Sequence, residues 1–204
     1  ALVLDTVATM LTLTAGWLRV QEEDSQLFST NLTKRIGQWN VSKGYKDWDF
    51  TANTYGSFDG VNDYVDVGNA TSLSITKNIT FSAWVKPNTL GNQEILVKQI
   101  DITSNVPYEI QFWSDGKFYV NLNTGSFSSL ATSVVSTGSW YHIVGVYNGT
   151  TFAGYLNGVQ FSSTSQTGNI ISNAHSLYIG SALDSGFFNG SIDEVRIYNR
   201  SLNA

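Results

Sequence analysis

The 204-residue chain has no cysteine, which excludes a disulfide framework, a zinc–thiolate centre and a cysteine nucleophile together. It has only two prolines. Charge is thin as well: 13% of residues are Asp, Glu, Lys or Arg, and the net charge is −5. A nucleic-acid surface needs a basic stripe, so DNA and RNA are not expected partners. Long apolar runs are missing too. The uncharged stretch near the N-terminus extends only from Thr6 to Leu18, too short alone to span a bilayer, and Asp5 just before it would be costly inside one.

What the chain does have is 18 glycines and 13% aromatic residues, with abundant Ser, Thr and Asn. Helix formers are sparse after the first thirty residues. From Ser57 onward the pattern is that of short strands separated by turn signals, an all-β sandwich or barrel. In ITFSAWVKP, Ile79, Phe81, Ala83 and Val85 fall on one face, with Thr80, Ser82, Trp84 and Lys86 on the other. YEIQFW (108–113) and KFYVNL (117–122) flank Ser114-Asp115-Gly116 and predict a hairpin. WYHIVGVY, TFAGYL and VQFSS, joined through Asn148-Gly149 and Asn157-Gly158, predict a three-strand meander. LYIGS and SIDEVRIYN add two more strands. Asp24 to Gly56 has neither period, but carries Trp39, Trp48, Phe50 and Tyr55, which predicts an ordered meander packed on the sandwich.

Five segments then resemble, in order, the signatures of laminin G-like, concanavalin A-like lectin domains: FDGVNDYVDVGN, ITFSAWVKP, GSWYHIVGVYNGTTFAGYLNGVQ, LYIGS and FNGSIDEVRIYNRSL. The resemblance covers Phe58 to Leu202, and more loosely Trp17 to Gly56. It implies an antiparallel two-sheet jelly-roll sandwich of the kind found in surface proteins, adhesins and appendages of secreted glycosidases. Residues 17–204 are the expected domain, preceded by an apolar segment, residues 1–16.

Strict alternation along the last strand puts Asp193 on one face with Val195 and Ile197, and a carboxylate buried there would need hydrogen bonds or a cation. Calcium suits a cysteine-free, carboxylate-rich site. By the resemblance, the acid of the last strand pairs with one from the first, so the candidate Ca2+ ligands are Asp193 and Glu22, with Asp59 a weaker third. Asp59, Asn62 and Asp63 have, besides, the composition of an Asx turn. Laminarinase-type hydrolases of this fold carry Glu-x-Asp-x-x-Glu on one strand, which places two carboxylates on one face. Glu94, Glu109 and Glu194 have no acidic neighbour at that spacing, His142 reads as a packing residue, and His175 lacks a visible partner. The chain is therefore expected to be non-catalytic. Trp84 and Trp113 fall on the more polar faces of their strands and are the candidate sugar-stacking residues, Trp113 beside Glu109 and Gln111. Asn-x-Ser/Thr acceptors start at Asn31, Asn40, Asn69, Asn78, Asn148, Asn189 and Asn199.

The opening ALVLDTVATMLTLTAGWL fits a helix or a strand equally well by period. Its apolar residues, among them Val3, Val7, Leu11 and Leu13, together with Asp5, are candidate assembly residues. They suit a helix resembling that of type IV-type pilins, which would meet the membrane only during assembly. They also suit a strand donated to another subunit, or an added strand of the domain's own. The leading expectation is an extracellular, cell-surface structural or adhesive subunit that partners copies of itself or another surface subunit, as in a pilus-like filament. The alternative is a soluble carbohydrate-binding module of a larger secreted protein, with glycans as partners.

Overall fold

The computed structural model describes residues 10–14, 17–21, 55–98, 106–182 and 185–203. They form fourteen strands and one turn of 3-10 helix, Thr71–Leu73. The strands are β1 Met10–Thr14, β2 Trp17–Gln21, β3 Gly56–Asp59, β4 Val65–Gly68, β5 Ile79–Pro87, β6 Gln93–Lys98 and β7 Tyr108–Phe112. They continue with β8 Phe118–Asn123, β9 Phe127–Ala131, β10 Tyr141–Tyr147, β11 Thr151–Leu156, β12 Val159–Ser165, β13 Leu177–Ile179 and β14 Asn189–Tyr198. An eight-stranded sheet runs β12-β11-β10-β5-β14-β1-β2, with β3 also on β14, and a six-stranded sheet runs β4-β13-β6-β7-β8-β9. Every strand pairing is antiparallel. The expected all-β, two-sheet sandwich is what is found.

The inward residues of both sheets make one core. Ile79, Phe81, Ala83 and Val85 of β5 are fully buried, as their alternation predicts. Across the gap they meet Tyr108, Ile110 and Phe112 of β7 and Phe118, Val120 and Leu122 of β8. Phe81 lies at the centre, 5.6 Å from the Tyr108 ring and 6.3 Å from that of Phe152. Its cross-strand partner on β10 is Gly145, and a Cβ built there would stand 2.4 Å from the Phe81 ring. The buried Tyr108 hydroxyl donates to the Leu73 carbonyl at 2.9 Å, so the core leaves that polar group satisfied.

The turns follow their sequence signals. Asn157 and Gly158 both take positive φ, 51° and 80°, the primed turn that joins β11 to β12. Asn148 closes the β10–β11 connection differently, its Oδ1 accepting from the Thr150 and Thr151 amides at 3.0 and 2.8 Å.

Strand β14 departs from the sequence expectation. Its pairing with β5 slips by one residue between Asp193, opposite Trp84, and Arg196, opposite Ser82. Glu194 absorbs the slip in a left-handed conformation, φ 50°, a place usually taken by glycine in a β-bulge. Ile192, Val195 and Ile197 consequently all face the core, while Asp193 is half-buried on the outer face. The expected sharing of one face by Asp193, Val195 and Ile197 is wrong for this reason.

Within the N-terminal segment, β1 pairs with β2 as a hairpin and with β14 through Leu13 and Val195. The choice between helix and strand thus falls on strand for Met10–Thr14. Strand β3 occupies β14 only from Asn189 to Ile192, so β1 takes up hydrogen-bonding capacity that the rest of this edge leaves open. Leu11 and Leu13 lie in β1, which is paired within the domain's own sheet. Val3, Asp5 and Val7, and most of the expected meander from Asp24 to Gly56, lie outside the described residues.

Two substitutions test this packing. Gly145→Ala forces a methyl into the Phe81 ring and should cost about 1–3 kcal/mol, read as a lowered urea midpoint. At the bulge, Glu194→Gly should match or exceed the parent's midpoint, because it removes left-handed strain and loses only a half-exposed ion pair. Glu194→Val should fall below both.

Candidate functional site

The candidate site is the outer face of the six-stranded sheet, where β6, β7 and β8 bring five side chains into one hydrogen-bonded row. The β7–β8 hairpin sets Glu109 opposite Asn121 and Gln111 opposite Tyr119. Beyond Phe112 the chain turns through residues 113–117, with the Gly116 amide donating to the Trp113 carbonyl at 2.9 Å and the Trp113 amide to the Lys117 carbonyl at 3.1 Å. Gly116 has φ 75°, which explains the Asp-Gly signal of the turn. On the other side, Glu94 of β6 faces Gln111, and an irregularity between Glu94 and Leu96 sets Val97 opposite Glu109.

Trp113 Nε1 donates to Gln111 Oε1 at 3.0 Å. Gln111 Nε2 donates to Glu94 Oε1 at 2.7 Å. Asn121 Nδ2 donates to Glu109 Oε1 at 2.7 Å and to Gln111 Oε1 at 2.9 Å. The row grades from buried to open: Glu109 and Asn121 are buried, Glu94 and Gln111 half-buried, and Trp113 is 40% exposed. The Trp113 ring lies 5.4 Å from that of Tyr119, whose hydroxyl donates to Asp115 Oδ2 at 2.8 Å. Lys117 sits 3.5 Å from the same carboxylate. Aromatic surface that is held rigid and edged by amides and carboxylates is what a sugar ring needs, a stacking face with hydrogen-bonding groups at its rim. Trp113 was legible as a candidate, with Glu109 and Gln111 on its face. Glu94 and Asn121 were not singled out, because their place depends on cross-strand pairing.

Burial lifts both carboxyl groups well above their ordinary range, Glu94 to about 8 and Glu109 to about 7. At Glu94 the charge of Glu109 adds to the rise, and the hydrogen bond from Gln111 opposes it. At Glu109 the Asn121 amide opposes the rise.

Trp84 lies on the opposite outer face, that of the eight-stranded sheet, between His142 of β10 and Asp193 of β14. It is also 40% exposed, and it stacks on His142 with centroids 5.1 Å apart and 26° between planes. Burial and the nearby Arg196 charge lower the pKa of His142, in keeping with a packed, uncharged imidazole. The two tryptophans are thus not brought together.

Of the candidate calcium ligands, Asp193 and Asp59 are not brought together. Asp59 pairs with Asn189, four residues along β14 from Asp193, which is about 13 Å at strand rise. Each carboxylate also serves its own backbone: Asp59 Oδ1 accepts from the Val61 amide at 2.8 Å, and Asp193 Oδ1 from the Glu194 amide at 2.8 Å. The first of these is the Asx turn that its sequence suggests. Glu22 lies outside the described residues, among which no group of three or more His, Asp or Glu side chains is placed to hold a metal.

Of the glycosylation acceptors, Asn69, Asn148 and Asn199 are exposed and Asn78 is half-buried. Asn189 is also half-buried, and its Nδ2 is engaged by the Asp59 carbonyl at 3.0 Å. Asn31 and Asn40 lie outside the described residues.

The raised carboxyl pKa values make stability depend on pH. A carboxyl group that binds its proton more tightly when folded stabilises the fold below the unfolded pKa, and that contribution is lost as pH rises through the folded value. The melting temperature should therefore fall between about pH 4.5 and pH 8. In Glu109→Gln the fall should be shallower, as scanning calorimetry across that range would show.

Solved structures with the same fold include the CBM40 module of the Ruminococcus gnavus IT-sialidase bound to α2,3-sialyllactose, 13% identical, with a TM-score of 0.61 over 72% of this chain and 90% of that one. Another is domain 4 of AbnA, a GH43 extracellular arabinanase from Geobacillus stearothermophilus, in complex with arabinotriose. It is 21% identical, with a TM-score of 0.54 over 74% of this chain and 78% of that one. The Trypanosoma rangeli sialidase aligns at 16% identity and a TM-score of 0.57 over 74% of this chain, which spans 26% of that protein. A comparison with curated proteins returns no match. The family model described as the concanavalin A-like lectin/glucanases superfamily matches residues 59–204, most of the chain, and the chain belongs to that superfamily.

Proposed function

We propose that this chain is a non-catalytic carbohydrate-binding module of an extracellular protein, and that it binds glycan on the outer face of the six-stranded sheet. The observation that carries this reading is the exposed Trp113 ring. Its Nε1 is anchored to Gln111, in a row of amide and carboxyl groups that continues to Glu94, Asn121 and Glu109. Rigid aromatic surface loses little conformational entropy on binding, and the polar groups beside it fix the orientation of a ring laid across it.

Two fold neighbours support the reading, since the R. gnavus module was solved with sialyllactose and the AbnA domain with arabinotriose. These findings favour the alternative of the sequence reading over its filament subunit, for which none of the neighbours named above speaks. The placement of Met10–Thr14 on the domain's own sheet points the same way, because it gives part of the apolar segment a partner without a second chain. The two carboxyl groups are part of the binding row. Each has one oxygen occupied by a neighbouring amide, and burial raises both well above the ordinary carboxyl range, which does not suit a carboxylate nucleophile.

A glycan array probed with the full chain tests this. Trp113→Ala should weaken the bound glycans at least tenfold, about 1.4 kcal/mol, with an unchanged melting temperature, since the ring is exposed. Incubation with the bound oligosaccharide should release no new reducing ends. Binding that survives Trp113→Ala undiminished would place the ligand elsewhere.

A further inference from the structure

The row behind Trp113 is spent on holding the ring. The indole is engaged by Gln111, the Gln111 amide by Glu94, and the Asn121 amide by Glu109 and Gln111, with Glu109 and Asn121 buried. The β8 flank is paired within itself: the Tyr119 hydroxyl is given to Asp115, and Lys117 lies against the same carboxylate. The β6 flank differs. Gln93 stands opposite Phe112, both buried, so the next residue on each side, Asn92 and Trp113, turns to the outer face. Asn92 is exposed, and its Oδ1 accepts from the Ser114 amide at 3.3 Å. An N–H partner fixes which end of the side-chain amide is which. The oxygen faces the backbone of the Trp113 turn, and the NH2 group, with two donors, is left to solvent.

Resting on the carbohydrate-binding reading, we infer that Asn92 is a ligand-contacting, specificity-determining residue of the Trp113 site. Its Nδ2 donates to a hydroxyl or ring oxygen of a sugar stacked on the indole and sets the orientation of that sugar. The loop that carries it is held on both sides. The Asn88 amide donates to the Asn189 carbonyl at 2.9 Å, Gln93 Nε2 to the Thr89 carbonyl at 3.0 Å, and the Asn189 amide to Gln93 Oε1 at 2.8 Å. The bond to Ser114 then fixes the Asn92 side chain against the same turn that carries Trp113. Donors already in place lose little conformational entropy when a ligand meets them. A stacking face alone admits a ring in several rotations, and a directed donor beside it selects among them.

The test is a glycan array that prints lactose, 3′-sialyllactose and arabinotriose among other oligosaccharides, probed with the full chain, Trp113→Ala and Asn92→Asp. Asn92→Asp keeps an acceptor for the Ser114 amide, and with it the turn, but removes both donors. It should keep the parent's melting temperature and bind each recognised glycan at least tenfold more weakly. In nitrogen–proton correlation spectra of the parent, the Asn92 side-chain amide pair is assigned by its absence from Asn92→Asp. It should shift when the glycan bound most tightly on the array is added. Binding that Trp113→Ala loses and Asn92→Asp keeps, or an amide pair that stays in place, would overturn the inference while leaving the carbohydrate site standing. If no glycan binds, or if binding ignores Trp113→Ala, the carbohydrate reading fails and the inference falls with it.

Discussion

Strand β14 carries the constraint on which the rest of the eight-stranded sheet depends. It pairs with β5 on one side and with β3 and then β1 on the other, so its register is transmitted to both halves of the sheet. In a regular strand, alternation from Ile192 would bury Glu194 and turn Val195 outward. The left-handed Glu194 inserts one extra residue and returns Val195 and Ile197 to the core. A non-glycine residue at such a place carries a strain of about 1–2 kcal/mol, which the burial of two β-branched side chains more than offsets. Asp193, just before the bulge, stays on the outer face beside Trp84, and the bulge parts it from the face of Val195 and Ile197.

On the six-stranded sheet the constraint is electrostatic. Two carboxyl groups on adjacent strands cannot both be ionised cheaply when partly removed from water. The sheet manages this by interleaving them with amides: Gln111 stands across from Glu94, and Asn121 across from Glu109, so each carboxyl has a donor from the neighbouring strand. The two amides are joined as well: Asn121 Nδ2 donates to Gln111 Oε1, which also receives the Trp113 indole. The exposed tryptophan is therefore tied through Gln111 to the carboxyl group of Glu94 on the neighbouring strand. A rigid aromatic surface at the end of such a chain is better defined than a tryptophan held by packing alone.

How much was legible follows from which interactions are local. Alternation alone gives the buried face of β5, and the Asp-Gly and Asn-Gly turns give the β7–β8 and β11–β12 hairpins, because periodicity and turn chemistry are written in neighbouring residues. Trp113, Gln111 and Glu109 could be placed on one face for the same reason. The bulge at Glu194 was illegible, since glutamate does not advertise a left-handed conformation, and the placing of Asp193 on one face with Val195 and Ile197 rested on the alternation that this bulge breaks. Glu94 was illegible for a different reason: its contact with Gln111 requires β6 to pair with β7 around an irregularity that absorbs Ile95. The spacing test for a catalytic pair looked along single strands, whereas Glu94 and Glu109 lie on neighbouring strands, close enough for the charge of Glu109 to act on Glu94.

The two exposed tryptophans, so alike in sequence context, are separated by the sandwich itself. Trp84 and Trp113 are each 40% exposed, but they point away from each other on sheets whose backbones pack roughly 10 Å apart, with a side chain added on either side. No single sugar ring can touch both. Their surroundings differ in kind as well. Trp84 is stacked on a half-buried imidazole and flanked across β14 by Asp193, so part of its aromatic face is already covered. Trp113 is held at its edge, through Nε1, and meets Tyr119 at a tilt of 47°, an arrangement that fixes the ring without stacking over it. A ring anchored by its edge keeps a face for a ligand, and for that reason the six-stranded sheet is the better place to look for the glycan.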